Sequence, residues 1–161
     1  MVAAVNGVAA GAGVSVALAC DLVYASEEAR FIQAFVRIGL VPDSGSTRTL
    51  VRGLGRHRAA QLIFTGEPLS AADALAGGLV NAVLPPGELM AAAREVAGRL
   101  AQAPTRAIAY AKRLINAAED ADLDGSLELE AALQELAGRT EDHAEGLSAF
   151  GERREPRFNG R

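Results

Sequence analysis

Residues 39–47 read GLVPDSGST and place a single carboxylate, Asp43, between Pro42 and Ser44-Gly45. The preceding run, FVRIGLV, reads as a segment buried against a core. No Glu, His or Cys stands nearby in sequence. The paired acids of hydration chemistry, a nucleophile–His–acid set and a metal cluster therefore all lack partners there. A lone acid in apolar surroundings can still move a proton. Burial penalises the charged form of a carboxyl and makes it a stronger base, and Phe35, Val36, Ile38 and Leu40 are expected to supply such a setting. The plainer reading is a turn aspartate, or an N-cap for a helix opening at Gly45.

Residues 6–13, NGVAAGAG, put Gly11-Ala12-Gly13 at the start of an apolar helix. The first turn of a helix has N–H groups without intrahelical partners and carries partial positive charge. Small residues there let a ligand oxygen reach those groups. A thioester carbonyl turning into an enolate gains most, since its charge appears only during reaction. Two other readings compete: a phosphate cradle, and glycines that merely permit tight helix–strand packing. The phosphate-loop pattern needs Gly-Lys-Ser/Thr, which does not follow Gly13, and a dinucleotide fingerprint needs a third glycine where Val16 stands. Tight packing stays open.

The elements that must position these residues change character near residue 65. Before it come short β-branched runs and glycines; after it come long Ala/Leu stretches at helical spacing. Val2–Val5 is expected as a buried strand entering the turn Asn6-Gly7, with VSVALAC as a helix of about two turns. DLVYA (21–25) and RFIQ (30–33) read as strands. GSTRTLVRGLG from Gly45 and HRAAQLIFTG read as helices closed by Gly55 and Gly66. Ser70 suits the N-cap of AADALAGG. Residues 79–84 are expected as a strand, Pro85-Pro86-Gly87 as a turn, and 88–102, 105–118, 126–137 and 140–150 as helices. In the third of these, Leu127, Leu129, Leu133 and Leu136 share a stripe that suits either intradomain packing or subunit contact.

Composition bounds the rest. A chain of 161 residues, 50% hydrophobic and 22% charged, suits an ordinary globular α/β domain. A net charge of −4 gives no field for nucleic acid, and one cysteine, Cys20, excludes an internal disulfide. Cys20 itself reads as core. The opening apolar stretch is broken by Asn6, Gly7, Gly11, Gly13 and Asp21, so no membrane span is expected, and with no signal peptide apparent the cytoplasm is the expected compartment. His57 and His143 read as solvated helix residues, and the acids from Glu119 to Glu135 as a solvated face, so no metal or cofactor site is expected.

Taken in order, NGVAAGAG, ALACDLVYASEEARF, GLVPDSGST and LIFTGEPLSAADALAGGLVNAVLP strongly resemble the enoyl-CoA hydratase/isomerase (crotonase) family, over essentially the whole chain. FVRIGLVPDSG, AGRTEDHAEG and the ending RFNGR are similar in detail to its ring-1,2-epoxyphenylacetyl-CoA isomerase branch.

The resemblance implies a crotonase-like spiral of ββα turns over residues 1–85, N-terminally truncated, then a helical trimerisation region and tail over 86–161. It implies an acyl-CoA thioester substrate, CoA being part of that substrate and no separate cofactor, and a homotrimer or dimer of trimers. It assigns the Ala12 N–H to an oxyanion hole flanked by Gly11 and Gly13. The second donor belongs to an earlier strand-loop segment with no counterpart among these residues. Ser15 and Phe35 fall in the substrate site, where the hydratase branch carries two glutamates; neither can ionise near neutral pH. Asp43 matches the single acid of the isomerase branch. The expectation is therefore an isomerase, with a generic hydratase or a truncated, catalytically silent chain as alternatives. Arg153, Arg154, Arg157 and Arg161 suit CoA phosphates, a neighbouring subunit or plain solvation.

Overall fold

Short strands separated by tight turns wind the first half of the chain back and forth between two sheets. The computed structural model describes all residues, Met1–Arg161. β1 (Val2–Val5) leads through Asn6-Gly7 to β2 (Val8–Ala10) and then α1 (Ala12–Leu18). The pattern repeats with β3 (Leu22–Ser26), β4 (Arg30–Ile32), a 3-10 turn over Ala34–Ile38, α2 (Ser46–Leu54) and α3 (Arg56–Thr65). A third round supplies β5 (Pro68–Ser70), α4 (Ala71–Ala76) and β6 (Ala82–Leu84), followed by α5 (Leu89–Ala101).

One sheet has the order β1-β3-β6, all parallel, with Val2 opposite Leu22 and Tyr24 opposite Ala82. The other has the order β2-β4-β5, with Ala9 opposite Phe31 and β5 antiparallel. Buried Ser26 holds the switch between sheets, its hydroxyl accepting the Glu28 N–H at 3.2 Å. Val14, Val23, Phe31, Leu50, Leu62 and Leu69 anchor the core between these layers.

The chain divides into two compact units, Met1–Glu95 and Val96–Arg161. Leu89 and Ala93 of α5 are buried in the first. The second contains α6 (Thr105–Ala118), α7 (Leu123–Gly138) and α8 (Glu141–Glu152). Asp122 caps α7 by accepting the Gly125 N–H at 2.9 Å, and Thr140 caps α8 by accepting the His143 N–H at 3.1 Å. On α7 only Leu133 is buried; Leu127 and Leu136 face outward. The tail returns to α8, where buried Asp142 accepts the N–H groups of Asn159 and Gly160 at 2.7 and 3.0 Å. No helix is long and apolar enough to cross a membrane.

Two expectations fail. FVRIGLV is not buried as a unit: Phe35 is, whereas Val36, Ile38, Leu40 and Val41 are exposed. A single short 3-10 turn sets one side chain inward, and residues 40–43 continue outside any sheet or helix that could cover them. Residues 79–84 are not all strand, because Leu79 and Val80 bury in the turn and pairing with β3 begins only at Ala82.

Candidate active site

The entrance of α1 is pinned by its first glycine. Gly11 has φ 54° and ψ −122°, a conformation that L side chains rarely adopt. Its N–H donates to the Ile32 carbonyl at the end of β4 (2.8 Å), and its own carbonyl accepts the Val14 N–H at 3.0 Å. The N–H groups of Ala12 and Gly13 lie in the first turn, beyond reach of an intrahelical acceptor, and both residues are exposed. A Cβ built on Gly13 would meet no atom within 4 Å. Tight packing is therefore not what keeps residue 13 small.

One turn further along, Ser15 is buried and its hydroxyl donates to the backbone carbonyl of Asp43 at 3.1 Å. That bond brings the Asp43 main chain beside the first turns of α1. The same carbonyl accepts the hydroxyl and the N–H of Ser46, at 3.1 and 3.2 Å. The carboxylate is exposed and takes no hydrogen bond or ion pair. Asp43 does not cap α2, whose N-cap is Gly45 without a side-chain bond. The apolar enclosure expected around it is not there, because Val36, Ile38 and Leu40 face outward. Phe35 is buried, and its ring would lie 3.5 Å from a Cβ on Gly11, so it backs the helix entrance.

Beside Asp43 runs an apolar groove of about 420 Å³, with Val36, Leu40, Pro42, Thr47, Val51 and Phe64 in its wall. A cleft of about 560 Å³ lies among Glu145, Arg154, Glu155 and Arg157, in the other unit. It holds Arg154 and Arg157 of the basic tail, but not Asp43, Ala12, Ser15 or Phe35. No three His, Cys, Asp or Glu side chains gather as a metal site.

The family model for enoyl-CoA hydratase/isomerase matches residues 1–161. The chain belongs to the enoyl-CoA hydratase/isomerase family. It is 44% identical over its full length to the 1,2-epoxyphenylacetyl-CoA isomerase of Escherichia coli K12, of which it covers 62%, and 37% identical to the 2,3-dehydroadipyl-CoA hydratase of the same organism, of which it covers 63%. The crystal structure of an enoyl-CoA hydratase from Bacillus anthracis superposes with a TM-score of 0.93 at 37% identity, covering 99% of this chain and 62% of that one. The chain thus spans about three-fifths of the length of these relatives, and its fold is the crotonase-like α/β fold.

Within this family frame, other charged candidates stay outside the site. His57 and His143 are exposed, and the thiol of Cys20, half-buried, donates to the Val16 carbonyl at 3.6 Å. Arg154 is committed to Glu145 and Glu152. Sequence reasoning missed two residues. Ser46, buried three positions after Asp43, is legible only as a hydroxyl able to bond back to a turn carbonyl. Gln33 is buried with neither amide atom hydrogen-bonded. Its signal was the alternation of Phe31, Gln33 and Phe35, which sets a polar residue at a core-facing step.

Proposed function

We propose that this chain carries the catalytic acid and one oxyanion donor of an acyl-CoA isomerase. The observation that carries the reading is the Ser15–Asp43 hydrogen bond, which sets the acid-bearing loop against the helix whose first turn presents the Ala12 N–H. In this scheme the thioester oxygen accepts from the Ala12 N–H, and the Asp43 carboxylate takes a proton from C2 of a 3-enoyl-CoA. The resulting enolate is delocalised over the double bond, and the same carboxyl returns the proton at C4. One acid is enough, because the carboxyl that takes a proton at C2 gives one back at C4, and at its exposed position that proton exchanges in part with solvent between the two steps. Gly13 leaves room for the thioester, and the apolar groove beside Asp43 suits the acyl portion. The family resemblance implies a second N–H donor from an earlier segment outside these residues; loss of one such donor typically costs about 3 kcal/mol of transition-state stabilisation.

Water addition by paired acids finds no support at Ser15, whose hydroxyl is occupied, or at Phe35. An aromatic ring-epoxide substrate, with ring expansion to an oxepin, is the finer reading supported by likeness to the epoxyphenylacetyl-CoA isomerase. Exposed Leu127 and Leu136 on α7 support a subunit-contact role for the second unit, with a homotrimer or dimer of trimers as the assembly proposed.

The test compares the parent with Asp43→Asn, following conversion of a 3-enoyl-CoA to its 2-enoyl isomer and solvent deuterium uptake. Loss of both activities is expected. Turnover unchanged in Asp43→Asn, or hydration of crotonyl-CoA outpacing isomerisation, would sink the proposal.

A further inference from the structure

Three donors converge on the Asp43 carbonyl: the Ser46 N–H and hydroxyl from its own loop, and the Ser15 hydroxyl from a helix 28 residues away. Ser15 and Ser46 are both almost fully buried, at 4% and 1% exposure, so solvent does not compete for these hydroxyls. The loop they hold would otherwise have little to fix it. Residues 40–43 belong to no helix or strand, and the loop closes through Ser44 and Gly45 in successive left-handed conformations, φ 52° and 82°.

A non-glycine residue there is strained and persists only when its surroundings over-determine the backbone. Ser46 supplies the local part of that restraint, because its bonds close the turn on itself. Ser15 supplies the external part, because it alone among the three donors belongs to α1. Its position, three residues beyond Ala12, is about 4.5 Å along the helix axis, and helical side chains lean back toward the N-terminus. The hydroxyl thus ties the loop one turn beneath the Ala12 N–H.

From this geometry we infer that Ser15 is a positioning residue, which sets the separation between the Asp43 carboxylate and the Ala12 N–H by holding the loop carbonyl to α1. The inference rests on the proposed function for its catalytic meaning. A hydroxyl in this place does what an acid could not: a carboxylate at position 15 would have no proton to give the carbonyl at neutral pH.

The variants Ser15→Ala, Ser15→Thr, Ser46→Ala and Asp43→Asn of the full chain test it. In Ser15→Ala the carbonyl keeps both Ser46 donors, so the unfolding midpoint is expected to change little. The kcat for 3-enoyl-CoA isomerisation is expected to fall on the order of 10- to 100-fold, as for a misplaced reacting group, with KM within about threefold. Ser15→Thr, which restores the hydroxyl, is expected to recover most of the loss. Independently of turnover, the carbonyl carbon resonance of Asp43 should move in Ser15→Ala and return in Ser15→Thr.

The inference is overturned if Asp43→Asn abolishes turnover while Ser15→Ala stays within about twofold of the parent. It is also overturned if the Asp43 carbonyl resonance does not respond to position 15. An active Asp43→Asn, or a parent without turnover, removes instead the function on which the role depends. Should Ser15→Thr fail to fold, the carbonyl resonance in Ser15→Ala, read beside its kcat, decides alone.

Discussion

The Gly11 N–H and the Ile32 carbonyl meet at 2.8 Å, so the mouth of α1 is fastened to the end of β4 before the helix begins. Two neighbouring glycines should therefore respond oppositely to the same substitution. Gly11→Ala forces a side chain onto φ 54° and ψ −122°, and is expected to cost about 1–3 kcal/mol. Gly13→Ala meets open space and improves helix propensity, so it is expected to stabilise by up to about 1 kcal/mol. Its methyl group narrows the approach to the Ala12 N–H, and slower isomerisation is the expected accompaniment. Denaturant unfolding and kcat/KM measured on both variants check this, and undiminished turnover in a stabilised Gly13→Ala would detach residue 13 from the site.

The cap at Ser70 offers a second measurement. Its hydroxyl accepts the Asp73 N–H at 3.0 Å and donates to the Asp73 carboxylate at 2.6 Å. Ser70→Ala is expected to cost about 1 kcal/mol through the lost cap. The hydroxyl is also the main reason that the Asp73 carboxyl lies below its ordinary range, with Arg58 second. In the variant the Asp73 titration should therefore move upward, visible by carbon NMR. An unmoved titration would mean that Arg58 alone sets it.

Ser70 belongs with what the sequence makes legible: local chemistry declares itself locally. The small polar residues at Ser70 and Thr140 stand where helices start, and the expected helix over 105–118 is observed at those limits as α6. Strands β2 and β5, three residues each, are too short to show a period and depend on β4 as their common partner. Exposure of FVRIGLV was equally hidden, since burial depends on what packs over a segment. Asp43 and the glycine triplet stood out by residue type. Their joining through Ser15 did not, because a bond spanning 28 residues leaves no trace in spacing.

In the second unit, acid should loosen the tail. The Glu145 carboxylate accepts two hydrogen bonds from the Arg154 guanidinium, at 2.6 and 2.9 Å, and a third from the Arg157 N–H at 2.7 Å. With the Arg154 side chain as the larger cause and the Arg157 N–H next, its pKa falls from 4.5 to about 2. A depressed carboxyl contributes its stability above the unfolded value, and that contribution is lost as pH falls through the folded one. Glu145→Gln is therefore expected to have a lower Tm than the parent near neutral pH, with the difference shrinking between about pH 4.5 and about pH 2. A gap that stayed constant with pH would show that charge at Glu145 does not hold the tail.

Gln33 makes the opposite kind of prediction, in which removing polar atoms helps. It is 3% exposed, and neither Nε2 nor Oε1 has a hydrogen-bond partner. Buried polar groups without partners carry the desolvation penalty and receive nothing in return, so an apolar residue of similar volume is favoured there. Gln33→Leu is expected to raise unfolding free energy by about 1 kcal/mol, provided that the leucine fills the same space between Phe31 and Phe35 on the inward side. Chemical denaturation of the parent and the variant measures the difference. A fall in stability would mean that the amide is hydrogen-bonded in solution, by ordered water or by another chain, and that the polar step in the Phe31–Gln33–Phe35 alternation belongs to the architecture.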